Sequence, residues 1–294
     1  MSFEECAILK PLETLKATRT YCKSVPRIIH QTWKTETVPD HWLQSQHEWK
    51  RLHPEWTYVL WTDEDIRAYI LATRPHAWRL FETQDYSIQK VDLFRYFVLH
   101  DFGGLYCDLD IVPTKNIEAF LGPGSVFLVE SANRSNVYTN ALMISDDSAN
   151  AKAFWSSMVS HVQHFPETYK ALASTALRHL HIMMSTGPLA LTHVVMNASV
   201  PITVLPKKLW NPWPLHLAGQ LSLQQNREAL VQILDGSSWH ELDSSIWSFL
   251  GTHQKLLKIL VGLAVLYYVV SSLDIRHRFV RLCELLKKRG PKKA

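Results

Sequence analysis

The chain predicts an α/β fold, a mostly parallel sheet with helices on both faces, and two observations carry that expectation. The first is composition. With 294 residues, 47% apolar and 20% charged side chains and only ten glycines, the chain can bury a sizeable core, which excludes disordered, collagen-like and disulfide-framework classes. The second is order. Short β-branched and aromatic segments alternate with longer amphipathic ones in the pattern βαβα, which layers helices over a parallel sheet.

Residues 27–33 read as a first strand behind Pro26. A helix carrying Trp42, Gln46 and Trp49 follows, then a strand over residues 58–61. Asp63, two residues past that strand, helps to start a helix through Ile66, Tyr69 and Ile70. A long helix is expected over residues 88–100, closed by Gly103 and Gly104, with a strand over 105–112 directly after it. Further strands are expected at 126–130 and 141–145, with helices near 151–163 and 189–196. Residues 25–250 form the folded domain behind an N-terminal extension, 1–24, that gives no chemical reading.

Charge narrows the partners. Residues 274–294 hold eight Lys/Arg against two Asp/Glu, an excess of six, so a chain of net charge +4 leaves −2 on its first 273 residues. A nucleic-acid binder spreads basic residues over its folded face; here they sit in a tail, so no nucleic-acid partner is expected. The four cysteines form no CxxC pair, and no zinc site is signalled.

Ahead of that tail, residues 256–273 (LLKILVGLAVLYYVVSSL) are the most hydrophobic window. Eighteen helical residues at ~1.5 Å span ~27 Å, slightly under the ~30 Å hydrocarbon thickness. A transmembrane helix or one lying in the membrane plane is expected. Lys258 would snorkel to one interface, and Arg276, Arg278 and Arg281 would meet anionic headgroups.

The sharpest chemical signal is Leu105-Tyr-Cys-Asp-Leu-Asp-Ile-Val112. Asp108 and Asp110, two apart on an apolar strand, face the same way. Two carboxylates there repel and are costly to bury unless a cation joins them. Along an ideal strand they stand ~6.6 Å apart, too far for oxygens at ~2.1 Å to clasp one ion, so the ladder is expected to break there. A hard divalent cation, magnesium or manganese, would suit such a pair and leave positions for diphosphate oxygens. A bare pair of acids at a strand end is more often solvated surface; the context weighs against that. The helix before it presents Asp92, Arg95 and Tyr96 together, with Phe97 and Leu99 making that side half-buried. Asp92 and Arg95 are either a structural ion pair or hydrogen-bonding groups for a sugar beside the metal.

Four ordered blocks, Pro26-Arg-Ile-Ile-His-Gln-Thr-Trp33, Pro54-Glu-Trp-Thr-Tyr-Val-Leu-Trp-Thr-Asp-Glu-Asp65, Lys90-Val-Asp-Leu-Phe-Arg-Tyr96 and Gly103-Gly-Leu-Tyr-Cys-Asp-Leu-Asp110, resemble the DXD-containing sugar-transferase family. That family includes the fungal initiating α-1,6-mannosyltransferase and the catalytic subunits of mannosyl inositol phosphoceramide synthase. Ser185-Thr-Gly-Pro188, Gly236-Ser-Ser-Trp-His240 and the membrane-seeking C-terminus look more like the second branch. The resemblance implies an A-type nucleotide-diphosphosugar transferase fold and a retaining transfer of mannose from GDP-mannose to inositol phosphoceramide. It implies that Asp108 and Asp110 hold manganese or magnesium and the donor diphosphate, with His240 as a third ligand. Asp92 and Arg95 would contact the donor sugar, while His30, Thr32 and Trp33 would lie against the nucleotide. Gly103 and Gly104 would let the backbone approach closely, and Asn140, Ser185 and Thr186 would contact acceptor or donor. It also implies a membrane lipid acceptor, a regulatory subunit and a Golgi membrane address.

The family branch generally has an N-terminal membrane segment, and the opening MSFEECAILK does not look like one. The basic C-terminal flank places the tail in the cytosol and catalysis in the lumen; the missing N-terminal signal argues the reverse. Sequons at Asn133 and Asn197 would be used only in the lumen. Three other readings stay open. One is a hexosyltransferase acting on protein-linked glycans. Another is a haloacid-dehalogenase-type phosphatase, with Asp108 as nucleophile and Asp146–Asp147 as the downstream acidic pair. The third is a non-catalytic membrane-bound partner. Trp210, Trp213 and Trp239, beside loop residues, are candidates to stack on a sugar.

Overall fold

The structure, a computed structural model, describes residues 10–16, 20–131, 135–166, 178–211 and 228–234. Helix α1 (Lys10–Lys16) and a short hairpin, β1 (Tyr21–Cys22) with β2 (Val25–Pro26), lead into β3 (Ile28–Thr32), α2 (Asp40–Leu52) and β4 (Thr57–Trp61). Then come α3 (Asp63–Thr73), α4 (Trp78–Glu82), α5 (Ser87–Phe102), β5 (Gly104–Cys107) and β6 (Ile111–Pro113). The remainder is β7 (Val126–Glu130), β8 (Tyr138–Ser145), α6 (Ala149–Gln163), α7 (Arg178–Ser185), α8 (Pro188–Met196), β9 (Ile202–Leu205), α9 (Lys207–Trp210) and β10 (Val231–Ile233).

Six strands form the main sheet in the order β4-β3-β5-β8-β7-β9. Five run one way, and β8 alone opposes them, pairing antiparallel with both β5 and β7. The sheet is therefore mixed, although most of its strands are parallel. Alternation along each strand splits the core into two layers. Ile28, Tyr106, Leu128 and Met143 pack against α3, α5, α6 and α8, while Ile29, Leu105, Phe127 and Ile144 meet Trp49 of α2 and Trp210 of α9. Trp210 is thus a core side chain, 2% exposed, and not a sugar platform; Trp213 and Trp239 lie outside the described residues.

Local chemistry accounts for the elements that frame the site. Thr62 caps α3, its hydroxyl accepting the Asp65 N–H while the Asp65 carboxylate accepts the Thr62 N–H, a reciprocal capping box. Helix α5 is buried all round from Asp92 to Leu99, because α6 covers the side turned from the sheet and α7 touches it as well. Its end is set by Gly103 at φ 64° and Gly104 at φ 89°, conformations that side chains with a Cβ adopt at a cost. Added Cβ atoms there would stand 2.9 Å from the Asp146 carbonyl oxygen and 2.5 Å from that of Ile28. The glycines let the chain pack against itself.

Chain order also locates a crevice. From β3 the chain adds β4 on one side and then β5 on the other. Ligands of open α/β sheets bind at the carboxyl ends of strands where the connections diverge in this way. Thr32 and Asp108 stand at those ends. Among the described residues no helix is long and apolar enough to cross a membrane; the expected membrane helix at 256–273 lies outside them.

Candidate active site

The expected strand over 105–112 is cut in two. β5 ends at Cys107; Asp108 still donates its N–H to the Ala141 carbonyl at 2.9 Å, but the chain then turns, closed by the Ile111 N–H on the Asp108 carbonyl at 3.1 Å. β6 leaves the main sheet and pairs with β10. The ladder breaks at the two aspartates, where the sequence led it to be expected.

Behind this turn lies a buried polar cluster. Arg95 stands between two carboxylates, its Nη1 3.1 Å from Asp92 Oδ1 and its Nη2 3.0 Å from Asp108 Oδ1, while Nη1 also donates to the Asn140 carbonyl at 3.0 Å. Its guanidinium stacks on the Tyr106 ring, 4.9 Å from the centroid. Asp92 accepts Asn140 Nδ2 on Oδ1 and Thr186 Oγ1 on Oδ2, each at 2.9 Å. With Arg95 also on Oδ1, one acceptor position remains on Oδ2. Tyr106 donates its hydroxyl to Asp108 Oδ1 at 3.0 Å and shares a second 3.0 Å bond with Thr32 Oγ1. Both bonds to Asp108 fall on Oδ1, so Oδ2 carries none among the described residues.

The cluster has too many acids for its one arginine. Burial, followed by the charge of Asp108, pushes the Asp110 carboxyl up to about 7. Burial likewise raises Asp92 and Asp108, with Arg95 pulling both back. Burial works against the charge of Arg95, but Asp108 and its neighbours outweigh that and raise its pKa above the ordinary value. Asp110 Oδ1 and Arg95 Nε are buried with no hydrogen-bond partner among the described residues. An orphaned acceptor and an orphaned donor in one pocket of charge mark a place prepared for something else.

The donor set fits a hard divalent cation. Two carboxylates with hydrogen-bonding capacity to spare are what magnesium or manganese takes from a protein when substrate phosphates and water complete its shell. Among the described residues no third His, Cys, Asp or Glu joins the pair as a ready-made cluster; the expected third ligand, His240, lies outside them.

Several expected residues meet here. Asp92 and Arg95 come from α5, Asp108 and Asp110 from the turn, Asn140 from β8 and Thr186 from the α7–α8 junction. Asp92 and Arg95, expected to be half-buried, are 2% and 5% exposed, because β8 and that junction close over the side of α5 that periodicity left open. Ser185 is held one step away, accepting Gln89 Nε2 at 2.7 Å. Thr32 borders the cluster through Tyr106. Trp33, half-buried, packs edge-on against Trp42, 5.0 Å between centroids, in the small apolar cluster that contains Leu109.

Other expectations need correcting. His30 is wholly buried: its Nδ1 accepts the Trp61 indole N–H at 3.2 Å and its Nε2 lies 3.0 Å from the Gly103 carbonyl. It faces the core and not a nucleotide. Gly103 and Gly104 lie at the start of β5, about 13 Å along the strand from Asp108, and what approaches them is the chain's own backbone. Asp146 sits beside Gly103 at that same far edge, so the acidic pair Asp146–Asp147 cannot serve Asp108 as the phosphatase reading requires. Tyr106 was not singled out in the sequence, although the alternation that aligns Asp108 with Asp110 places it on the same face.

The chain is also similar in sequence to known glycosyltransferases. Residues 39–128 match the family described as glycosyltransferase sugar-binding region containing DXD motif. Inositol phosphoceramide mannosyltransferase 3 of Schizosaccharomyces pombe is 29% identical over 249 residues, 84% of this chain and 64% of that protein. A mannosyl phosphorylinositol ceramide synthase of Saccharomyces cerevisiae is 29% identical over 238 residues, 78% of this chain and 55% of its own length. The chain thus spans less than two thirds of either relative. The initiation-specific α-1,6-mannosyltransferase of Candida albicans is 29% identical over 122 residues, 40% of this chain and 31% of that protein. Over residues 39–128 the chain is thus similar to the sugar-binding region of DXD-containing glycosyltransferases, and over most of its length to mannosyltransferases.

Proposed function

We propose that the chain is a retaining, metal-dependent mannosyltransferase on an A-type nucleotide-diphosphosugar fold, moving mannose from GDP-mannose to the inositol of inositol phosphoceramide. The observation that carries the reading is the excess of carboxylate at the end of β5: Asp92 and Asp108 paired with Arg95, and Asp110 beside them with its Oδ1 buried and unbonded among the described residues. The choice of a lipid acceptor over protein-linked glycans rests on the length of the likeness, 84% of the chain for the inositol phosphoceramide enzyme against 40% for the initiation-specific one.

Asp108 and Asp110 would hold the cation, whose bound charge would neutralise the diphosphate as it leaves. Arg95 fixes Asp108 through Oδ1 and so turns Oδ2 outward. Asp92, steadied by Asn140 and Thr186, offers its remaining acceptor position to a hydroxyl of the donor sugar, and the orphaned Arg95 Nε offers a donor. No side chain is required as nucleophile, since in a retaining transfer of this kind the leaving phosphate takes the acceptor's proton. The hydrophobic segment at 256–273 and its basic flank would keep the enzyme at a Golgi membrane beside its lipid acceptor, with the catalytic domain in the lumen.

The test incubates the membrane-embedded protein with labelled GDP-mannose, inositol phosphoceramide and manganese, and repeats it with Asp110→Ala. Transfer to lipid that vanishes in the variant is expected. Undiminished transfer by the variant would remove the mechanism, and transfer only from a UDP-sugar would change the donor while leaving the site intact.

A further inference from the structure

We infer that Gln31 sets the position of the turn that carries Asp108 and Asp110, and through it their grip on a divalent cation; the inference rests on the metal-binding reading above. Gln31 is the penultimate residue of β3 and wholly buried. Its amide nitrogen donates to the Asp108 carbonyl at 3.2 Å and to Ser45 Oγ at 3.0 Å, and its amide oxygen accepts the Tyr58 hydroxyl at 2.7 Å. Ser45, on α2, passes the chain on: its hydroxyl donates to the Ile111 carbonyl at 2.6 Å, where Trp49 Nε1 also donates at 3.0 Å. One unbroken run of hydrogen bonds, buried at its centre and part-buried at Tyr58 and Asp108, therefore reaches from Tyr58 through Gln31 and Ser45 to the first and last carbonyls of the four-residue turn.

The placement has a physical use. The two aspartates repel, as the effect of Asp108 on Asp110 records, and a turn free to relax would ease that repulsion by moving them apart. Anchoring both ends of the turn by backbone carbonyls blocks the motion without occupying a carboxylate oxygen. An apolar residue of the same size would fill the space without that directional hold, whereas a buried polar run with every member bonded favours one geometry over its neighbours. Gln31 touches neither carboxylate, so it is a positioning residue, of the kind whose loss weakens metal binding about 10–100-fold.

Manganese binding to the full chain in detergent, read from the electron paramagnetic resonance of the free ion, tests this without reference to turnover. Gln31→Met should raise the dissociation constant about tenfold or more. Ser45→Ala, which keeps the Gln31–Asp108 bond but drops one hold on Ile111, should raise it by less. Tyr69→Phe, which loses a part-buried bond to Asp101 in the last turn of α5, should leave it unchanged. Native affinity in Gln31→Met, or equal weakening in Tyr69→Phe, would overturn the inference. If Gln31→Met does not fold, Ser45→Ala decides, and an unchanged constant there overturns it. Native protein that binds no manganese, or binding that survives Asp110→Ala, would instead sink the metal reading on which the inference stands.

Discussion

Helix α5 carries one arginine–carboxylate cluster at its middle and another in its last turn, and the two differ in their charge balance. In its last turn, Asp101 is the single acid of the set among the described residues: Arg74 Nε donates to it at 2.8 Å and His100 Nδ1 lies 2.8 Å away, with Tyr69 and Arg74 Nη2 completing the set. Burial works against its charge, but the bonds from His100, Arg74 and Tyr69 prevail and hold its carboxyl well below the usual range. At the other cluster Arg95 pairs with Asp92 and Asp108 while Asp110 adds a third carboxylate beside Asp108, and every one of the three is raised. The Arg95 pair is buried and the Arg74 pair partly so; among the described residues the balanced one satisfies its acid, and the unbalanced one leaves a surplus of carboxylate, the feature on which the proposed cation site rests. Charge surplus, more than burial, separates a structural pair from a binding site.

The largest effect on stability should fall on the balanced cluster. Asp101→Asn leaves the partly buried Arg74 without its counter-charge and should cost about 1–3 kcal/mol of stability in urea unfolding, below the full cost of breaking a buried pair, with manganese affinity of the folded protein intact. Loss of affinity without loss of stability would erase the distinction between the two. Asp110→Ala should do the reverse, lowering kcat by about 10²–10³, or ~2.7–4 kcal/mol of barrier, while the protein remains folded.

The clusters should also respond to pH with opposite sign. Asp110 has its pKa raised, so its favourable contribution is present in full below the ordinary carboxylate value near ~4 and is lost as pH rises through about 7. Asp101 has its pKa lowered, so its contribution is present above ~4 and is lost only as pH falls further. In metal-free protein the melting temperature of Asp110→Asn relative to native should therefore climb between pH 5 and 8, reaching about 2–4 °C, the shift of ~1 kcal/mol at this size. Manganese affinity should rise over the same window, because the ligand must lose its proton. A flat difference across that range would show that Asp110 does not titrate there. Smallest of all, Tyr106→Phe removes one hydrogen bond from Asp108 and should cost about 0.5–1.5 kcal/mol in kcat/KM.

Much of this was legible in the chain. The acids two apart, the break expected at them, and the i, i+3 pair Asp92–Arg95 follow from local geometry, and the strand expected at 126–130 is β7 without a shift of boundary. What misled was reading motif membership as ligand contact. His30, Gly103 and Gly104 share blocks with the site residues, but one turns into the core and two close a helix at the far edge. The direction of β8 could not be read either, because alternation is the same whichever way a strand runs. That reversal brings Asn140 to the carboxyl end of β5, where a parallel strand of the same sequence would carry it away.

By itself the sequence determined which chemistry was available: the two acids, the arginine ahead of them and the α/β alternation all depend on neighbours a few residues apart. The tertiary structure alone decided which of those groups meet. Asn140 and Thr186 reach Asp92 from 48 and 94 residues away, and Gln31 reaches the turn carbonyl across 77. Such convergence is set by strand order and by the burial of α5 on every side, and no short-range spacing encodes either.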